Sequence, residues 1–230
     1  MPTRILLERG CAITLAFAWL AAFPSLIATV SASEPPAEWD GLKRVESKQL
    51  DYLYVLPGET LTGYKRYRLA PVQVAFDKNW DPNSSERSPS RQLNKGDLDK
   101  IKSTLASEFQ KVFKEELAKG GYTLVENDDE DVLDVAGAIV NLYITAPDKM
   151  SAGRTRSYVA SAGHMSLIVE LRDSVSGQLL ARAIDTARGR EYGSFRIATS
   201  TTNLGDARLA LVQWAGILRK ALDSANGRGK

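Results

Sequence analysis

The residues able to do chemistry gather in one stretch. The segment "MSAGRTRSYVASAGH", Met150 to His164, carries the chain's only histidine, with Arg154 and Arg156 ahead of it. Histidine serves as a general base or a metal ligand. Nucleophilic catalysis would ask for a serine on a sharp strand-to-helix turn, and zinc would ask for further histidines or thiolates. Neither accompanies His164, and the single cysteine, Cys11, lies near the N-terminus. The sequence therefore predicts no catalytic, cofactor-binding or metal-ligating residue, and it places His164 at the start of a strand beside Gly163. The acidic run Asp128, Asp129, Glu130, Asp131 and Asp134 is a second candidate. A calcium loop alternates oxygen ligands around a central glycine. This run has neither, so it reads as a solvated turn between strands.

Arginine carries the stronger signal. Between Met150 and Ser200 there are seven arginines, at 154, 156, 172, 182, 188, 190 and 196, and no lysine. A guanidinium offers a flat fork of donors matched to carboxylate or phosphate, which lysine does not. The acids of the same interval are Glu170, Asp173, Asp185 and Glu191, too few to pair with every arginine across a sheet. Arg154, Arg156, Arg188 and Arg190 are therefore the candidate contacts for an anion or an anionic partner. Residues two apart on an extended chain share a face, so Arg154 and Arg156 can address one surface together. Gly153 and Gly163 relieve the backbone on either side of a strand expected over 157–161.

The elements that must position these residues follow from the pattern of the whole chain. Arg4 and Arg9 precede an apolar run from Cys11 to Phe23, and Val30, Ser31 and Ala32 close the segment. That order reads as a secretory signal peptide over residues 1–32, cleaved after Ala32. Pro24 and Ser25 interrupt the run that an uncleaved anchor would use, since spanning a bilayer takes about 20 apolar residues. The expectation is export to the periplasm or cell envelope, with no transmembrane segment after cleavage. Cys11 precedes the apolar run, and the mature chain has no thiol for a disulfide, a metal site or a nucleophile. Cleavage leaves 28 basic and 27 acidic residues, a balance that predicts no nucleic-acid partner.

Residues 33–49 read as a polar arm, 50–223 as a single domain, and 224–230 as a frayed tail. Strands are expected over 50–56 and over 64–76, where Pro71 removes a ladder donor and forces an edge or a bulge. Residues 77–96 form a long surface loop, rich in serine and proline and read as mobile. From Asp97 to Lys119 the apolar positions Leu98, Ile101, Leu105, Phe109, Val112, Phe113 and Leu117 step by three and four, with Asn94 as cap and Gly120-Gly121 as stop. Strands follow near 122–126 and 132–146. In "HMSLIVELRDSVSGQLLARAID" a loop over 175–177 with Gly177 left-handed sets Glu170 against Arg182 and Ile168 against Ile184. That register turns Leu167, Val169, Leu171, Leu179, Ala181 and Ala183 to the core. A last helix is expected over 204–222, capped by Asn203. The order predicts an α+β fold, a mostly antiparallel sheet with two helices packed on one face.

The segments "EWDGL", "GYKRYRLAPVQVAF", "ELAKGGYTLVE", "AIVNLYITAPDKMSAGRTRSYVASAG" and "ELRDSVSGQLLARAID" resemble a bacterial envelope family known only as a domain of unknown function, many of whose members are predicted lipoproteins. The resemblance runs from about Glu38 to Leu222. The chain departs from those members in having no cysteine after its apolar run. More distantly, Leu117 to Tyr122 and Asp173 to Leu180 are similar to periplasmic assembly modules such as that of the curli secretion channel and the lipoprotein activators of cell-wall synthases. This resemblance implies a binding or assembly role; since no convergent set of catalytic residue types appears, the expectation is a non-enzymatic accessory module toward an envelope protein, an anionic lipid headgroup or a wall polymer. An envelope hydrolase or transferase with an unrecognised site is the alternative; it predicts a concave pocket of titratable groups with perturbed pKa values.

Overall fold

The structure is a computed structural model that describes residues 35–84, 89, 92–144, 157–159, 163–188, 196–198 and 200–228; for 157–159, 196–198 and 200–203 it describes the backbone. The strands are β1 (Glu38–Trp39), β2 (Leu42–Val45), β3 (Tyr52–Val55), β4 (Arg66–Leu69), β5 (Gln73–Phe76), β6 (Thr123–Leu124), β7 (Val132–Ile144), β8 (Ser157–Val159), β9 (Gly163–Asp173), β10 (Leu179–Arg188) and β11 (Arg196–Ala198). The helices are α1 (Lys95–Lys119) and α2 (Ser200–Ala225).

Both helices stop for the same reason. At the end of α1, Tyr122 N–H reaches Leu117 O and Gly121 N–H reaches Ala118 O, with Gly121 at φ 76. At the end of α2, Arg228 N–H reaches Asp223 O and Gly227 N–H reaches Ser224 O, with Gly227 at φ 67. Each is a Schellman motif, in which a left-handed residue lets two amides close the last turn. Residues 224–228 are therefore held, not frayed. Asn226 ties them down: its Nδ2 donates to Leu222 O at 2.9 Å and Tyr64 O at 3.2 Å, while Oδ1 accepts from Gly63 N–H at 3.0 Å. Asn226→Ala is expected to cost about 2 kcal/mol, since it leaves these groups without their partner; urea denaturation at constant m-value measures it. At its start α1 carries the expected reciprocal cap between Asn94 and Asp97, at 2.9 and 3.1 Å. Helix α2 begins earlier than expected, so Asn203 lies inside it and not at its cap.

The main sheet runs β1-β2-β3-β10-β9-β7-β4-β6, with β5 also paired to β7. It is antiparallel except where β4 and β5 meet β7 and where β4 meets β6. Leu69 faces Val135 and Gln73 faces Ala138, so four steps around Pro71 oppose three on β7. This is the expected bulge, set where proline has no N–H to give. Phe109, Phe113 and Leu117 of α1 join Leu211, Trp214 and Leu222 of α2 and Val135, Ile139, Leu167 and Val169 of the sheet in one buried cluster. The two helices thus share one face. A Cβ at Gly137 would lie 2.6 Å from Phe109 Cζ, so only glycine lets that ring rest on β7. Strands β8 and β11 pair with each other in a separate antiparallel ribbon.

Residues 36–49 are not the loosely packed arm that their polarity suggested. Asp40 and Gly41 take φ 52 and 81, the two left-handed positions of a tight hairpin turn, and fold β1 onto β2. Strand β2 then pairs with β3, so the domain begins at Pro36. Among the described residues no helix is long and apolar enough to cross a membrane.

The β9–β10 hairpin keeps Glu170 against Arg182 and Ile168 against Ile184. Near its turn the expectation shifts by one residue. Asp173 N–H bonds Gln178 O at 3.0 Å, and a bulge between Leu179 and Ala181 restores the register, so Leu180 enters the core in place of Leu179. Gly177 is left-handed, φ 70, as that turn requires.

Candidate functional site

Three neighbouring strands finish at one end of the sheet: β7 at Ile144, β9 at Gly163 and β10 at Arg188. There Tyr143 faces His164, and His164 faces Arg188. Tyr143 and His164 stack with ring centroids 5.2 Å apart and planes at 10°. Two backbone devices create this row. A bulge between Val140 and Tyr143 places Asn141 at φ 52, and Gly163 at φ 126 lets β9 close against the Tyr143 carbonyl. Arg188 is exposed and makes no ion pair with another described residue. The row presents an imidazole, a guanidinium and a phenol, all able to donate to an anion. Arg154, Arg156 and Arg190 lie outside the described residues, as do Gly153 and Ala32. In sequence, residues 145–156 follow Ile144 and residues 189–195 follow Arg188.

The opposite end of the sheet is acidic, and it is braced. Arg66 Nε donates to both oxygens of Asp131 at 2.8 and 3.0 Å, and its Nη2 to Asp129 at 2.7 Å. Arg68 grips Asp134 at 2.7 and 2.6 Å and also meets Asp128. The Arg66 guanidinium holds the carboxyls of Asp129 and Asp131 below the usual range. The run is thus an arginine-bound turn, beyond the solvated one that was expected. Among the described residues no group of three or more His, Cys, Asp or Glu side chains is placed to hold a metal ion.

Of the four acids in the arginine-rich interval, the three that are described have different partners. Asp173 accepts from the N–H and hydroxyl of Ser176, each at 2.7 Å, and from Tyr64 at 2.9 Å, and these bonds, Ser176's first, lower its pKa. Asp185 accepts from Trp214 Nε1 at 2.6 Å and from Asp51 N–H at 3.0 Å. Glu191 lies outside the described residues. Among the described residues of this interval, Glu170 is the acid that binds arginine, and it binds two, Arg172 and Arg182.

That pairing sits on the sheet face away from the helices. Arg182, 1% exposed, donates from Nε and Nη2 to Glu170 Oε1 at 2.9 and 2.6 Å, and from Nη2 to Asp40 at 2.7 Å. Glu170 Oε2 takes Arg172 at 2.8 Å. The Trp39 ring covers the guanidinium at 4.1 Å and meets fully buried Tyr54 edge-on at 5.8 Å. Tyr54 in turn donates to Pro36 O at 3.0 Å. Arg182 Nη1 is buried and has no hydrogen-bond partner. Sequence reasoning found the Glu170–Arg182 pair but missed its lid. The signal was present in "EWDGL", where Asp-Gly between Trp39 and Leu42 encodes the tight turn.

No curated protein matches the chain. Among solved structures it is similar to the PelC dodecamer of Paraburkholderia phytofirmans at 10% identity and a TM-score of 0.37, over 73% of this chain and 96% of that one. A minor lipoprotein of Acinetobacter baumannii is similar at 14% identity and 0.32, over 72% and 95%. A DUF4136 family protein of Bacteroides thetaiotaomicron is similar at 8% identity and 0.34, over 80% and 97%. At these identities and scores nothing about function transfers. The family comparison reaches further: a model described as a protein of unknown function, DUF3313, matches residues 31–218, most of the 230-residue chain, and the chain belongs to that family.

Proposed function

We propose that the protein is an exported, envelope-associated binding or assembly module without enzymatic activity, and that it meets an anionic partner with the basic end of its sheet. The observation that carries this reading is the row of Tyr143, His164 and Arg188 across β7, β9 and β10, at the end from which the segments holding Arg154, Arg156 and Arg190 continue. Such a row offers donors on a rigid scaffold to a lipid headgroup, a wall polymer or an acidic protein face. The basic start, apolar run and Val30-Ser31-Ala32 of the N-terminus support export.

Replacing Arg154, Arg156, Arg188 and Arg190 together by alanine tests it. The reading puts these arginines on a solvent-facing surface, so it expects stability to change by less than about 0.5 kcal/mol per site. Binding to phosphatidylglycerol vesicles is expected to fall, and the binding of the unaltered protein to weaken as salt is raised, since exposed charge contacts are screened. Vesicle binding that survives the four substitutions rejects the surface.

A further inference from the structure

The back face of the sheet carries an inference of its own. Arg182 is nearly enclosed, its side chain 2% exposed, yet one of its terminal nitrogens, Nη1, has no partner. Buried polar atoms almost always find one, so each exception calls for an explanation. Asp40 touches only the neighbouring Nη2, with one oxygen at 2.7 Å. Its side chain is 57% exposed, and its backbone holds φ 52 in a turn at the sheet's terminal hairpin. Glu170 is already committed to both Arg182 and Arg172. The second unit of negative charge that balances these two arginines therefore comes from a solvent-facing turn, through a single contact.

We infer that the Nη1–Nη2 edge of Arg182 is an oxyanion site in which Asp40 is a built-in occupant, and that the Trp39–Gly41 turn is its lid. The edge of a guanidinium that carries both terminal nitrogens donates two parallel bonds to one carboxylate or phosphate. Asp40 makes one. A free or headgroup-borne oxyanion that displaces it satisfies Nη1 as well and keeps the charge balance. The movement asked for is small: β1 is a two-residue edge strand, while β2 stays paired to β3 when the turn opens. Trp39, stacked on the guanidinium, covers the site again once it is filled. This site is separate from the row of Tyr143, His164 and Arg188, and either can fail without the other.

The variant Asp40→Asn tests it, because asparagine tolerates the left-handed turn and removes the competing charge. Inorganic phosphate binding, followed by calorimetry, is expected to tighten roughly tenfold or more over the unaltered protein, as the fraction of open sites rises. Glu38→Gln removes a neighbouring surface charge, is expected to change nothing, and controls for net charge. Vesicles of phosphatidylglycerol form the second arm: tightening there without tightening for phosphate assigns the oxyanion to a lipid headgroup. If Asp40→Asn tightens neither probe, or if Glu38→Gln tightens both equally, the site does not exist and Nη1 meets only water.

Discussion

Glu170→Ala is expected to destabilise the protein by about 3–5 kcal/mol, the usual consequence of stranding a buried charge. Glu170 is 5% exposed and Arg182 1%, and three donor contacts converge on the one carboxylate. Removing it leaves the Arg182 guanidinium beneath Trp39 with only Asp40, whose exposed single contact cannot replace two enclosed ones. The pair itself is not the origin of that stability. Desolvating both charges offsets most of their attraction, so Glu170→Leu with Arg182→Met should recover most of the loss. Urea denaturation of Glu170→Leu, of Arg182→Met and of the two combined closes the cycle. A double variant no more stable than Glu170→Ala would mean that the two side chains do not act as a unit.

This pair also marks how far the sequence alone could be read. Alternation along β9 and β10, a glycine in the turn and the opposite charges of Glu170 and Arg182 all pointed to one register, and the strands adopt it away from the turn. The turn is displaced because Leu179 and Leu180 are both apolar: either satisfies the core, and alternation cannot choose between them. The bulge decides, by letting Asp173 close on Gln178. The helices were legible for a similar reason, since caps and apolar spacing are local. The arginines of the acidic end were not. Arg66 and Arg68 meet Asp131 and Asp134 only because β4 lies parallel to β7, in a register fixed by α1 and its crossover. The burial of Arg182 was equally hidden. Arginine is seldom enclosed, and the enclosing tryptophan belongs to a hairpin far away in the chain, whose charged residues resemble a tether.

Gly163→Ala is expected to cost about 3 kcal/mol, from a strained left-handed backbone and an overpacked contact together. Gly163 sits at φ 126, and a methyl group there would overlap the Tyr143 carbonyl oxygen, a backbone atom that no rotamer change can move aside. Relief requires the first residues of β9 to part from β7. His164 then leaves its stack on Tyr143 and its place opposite Arg188. The variant should therefore lose anionic-vesicle binding even in its folded fraction, an effect that a destabilising change elsewhere, such as Asn226→Ala, does not share. Asn141 supplies the contrast on the facing strand: at φ 52 it already occupies a conformation open to asparagine and glycine, so Asn141→Gly should alter stability by less than about 1 kcal/mol. Urea denaturation and vesicle sedimentation on the three variants decide the matter. A folded Gly163→Ala protein that binds as the unaltered one does would show that the Tyr143–His164–Arg188 row plays no part in recognition.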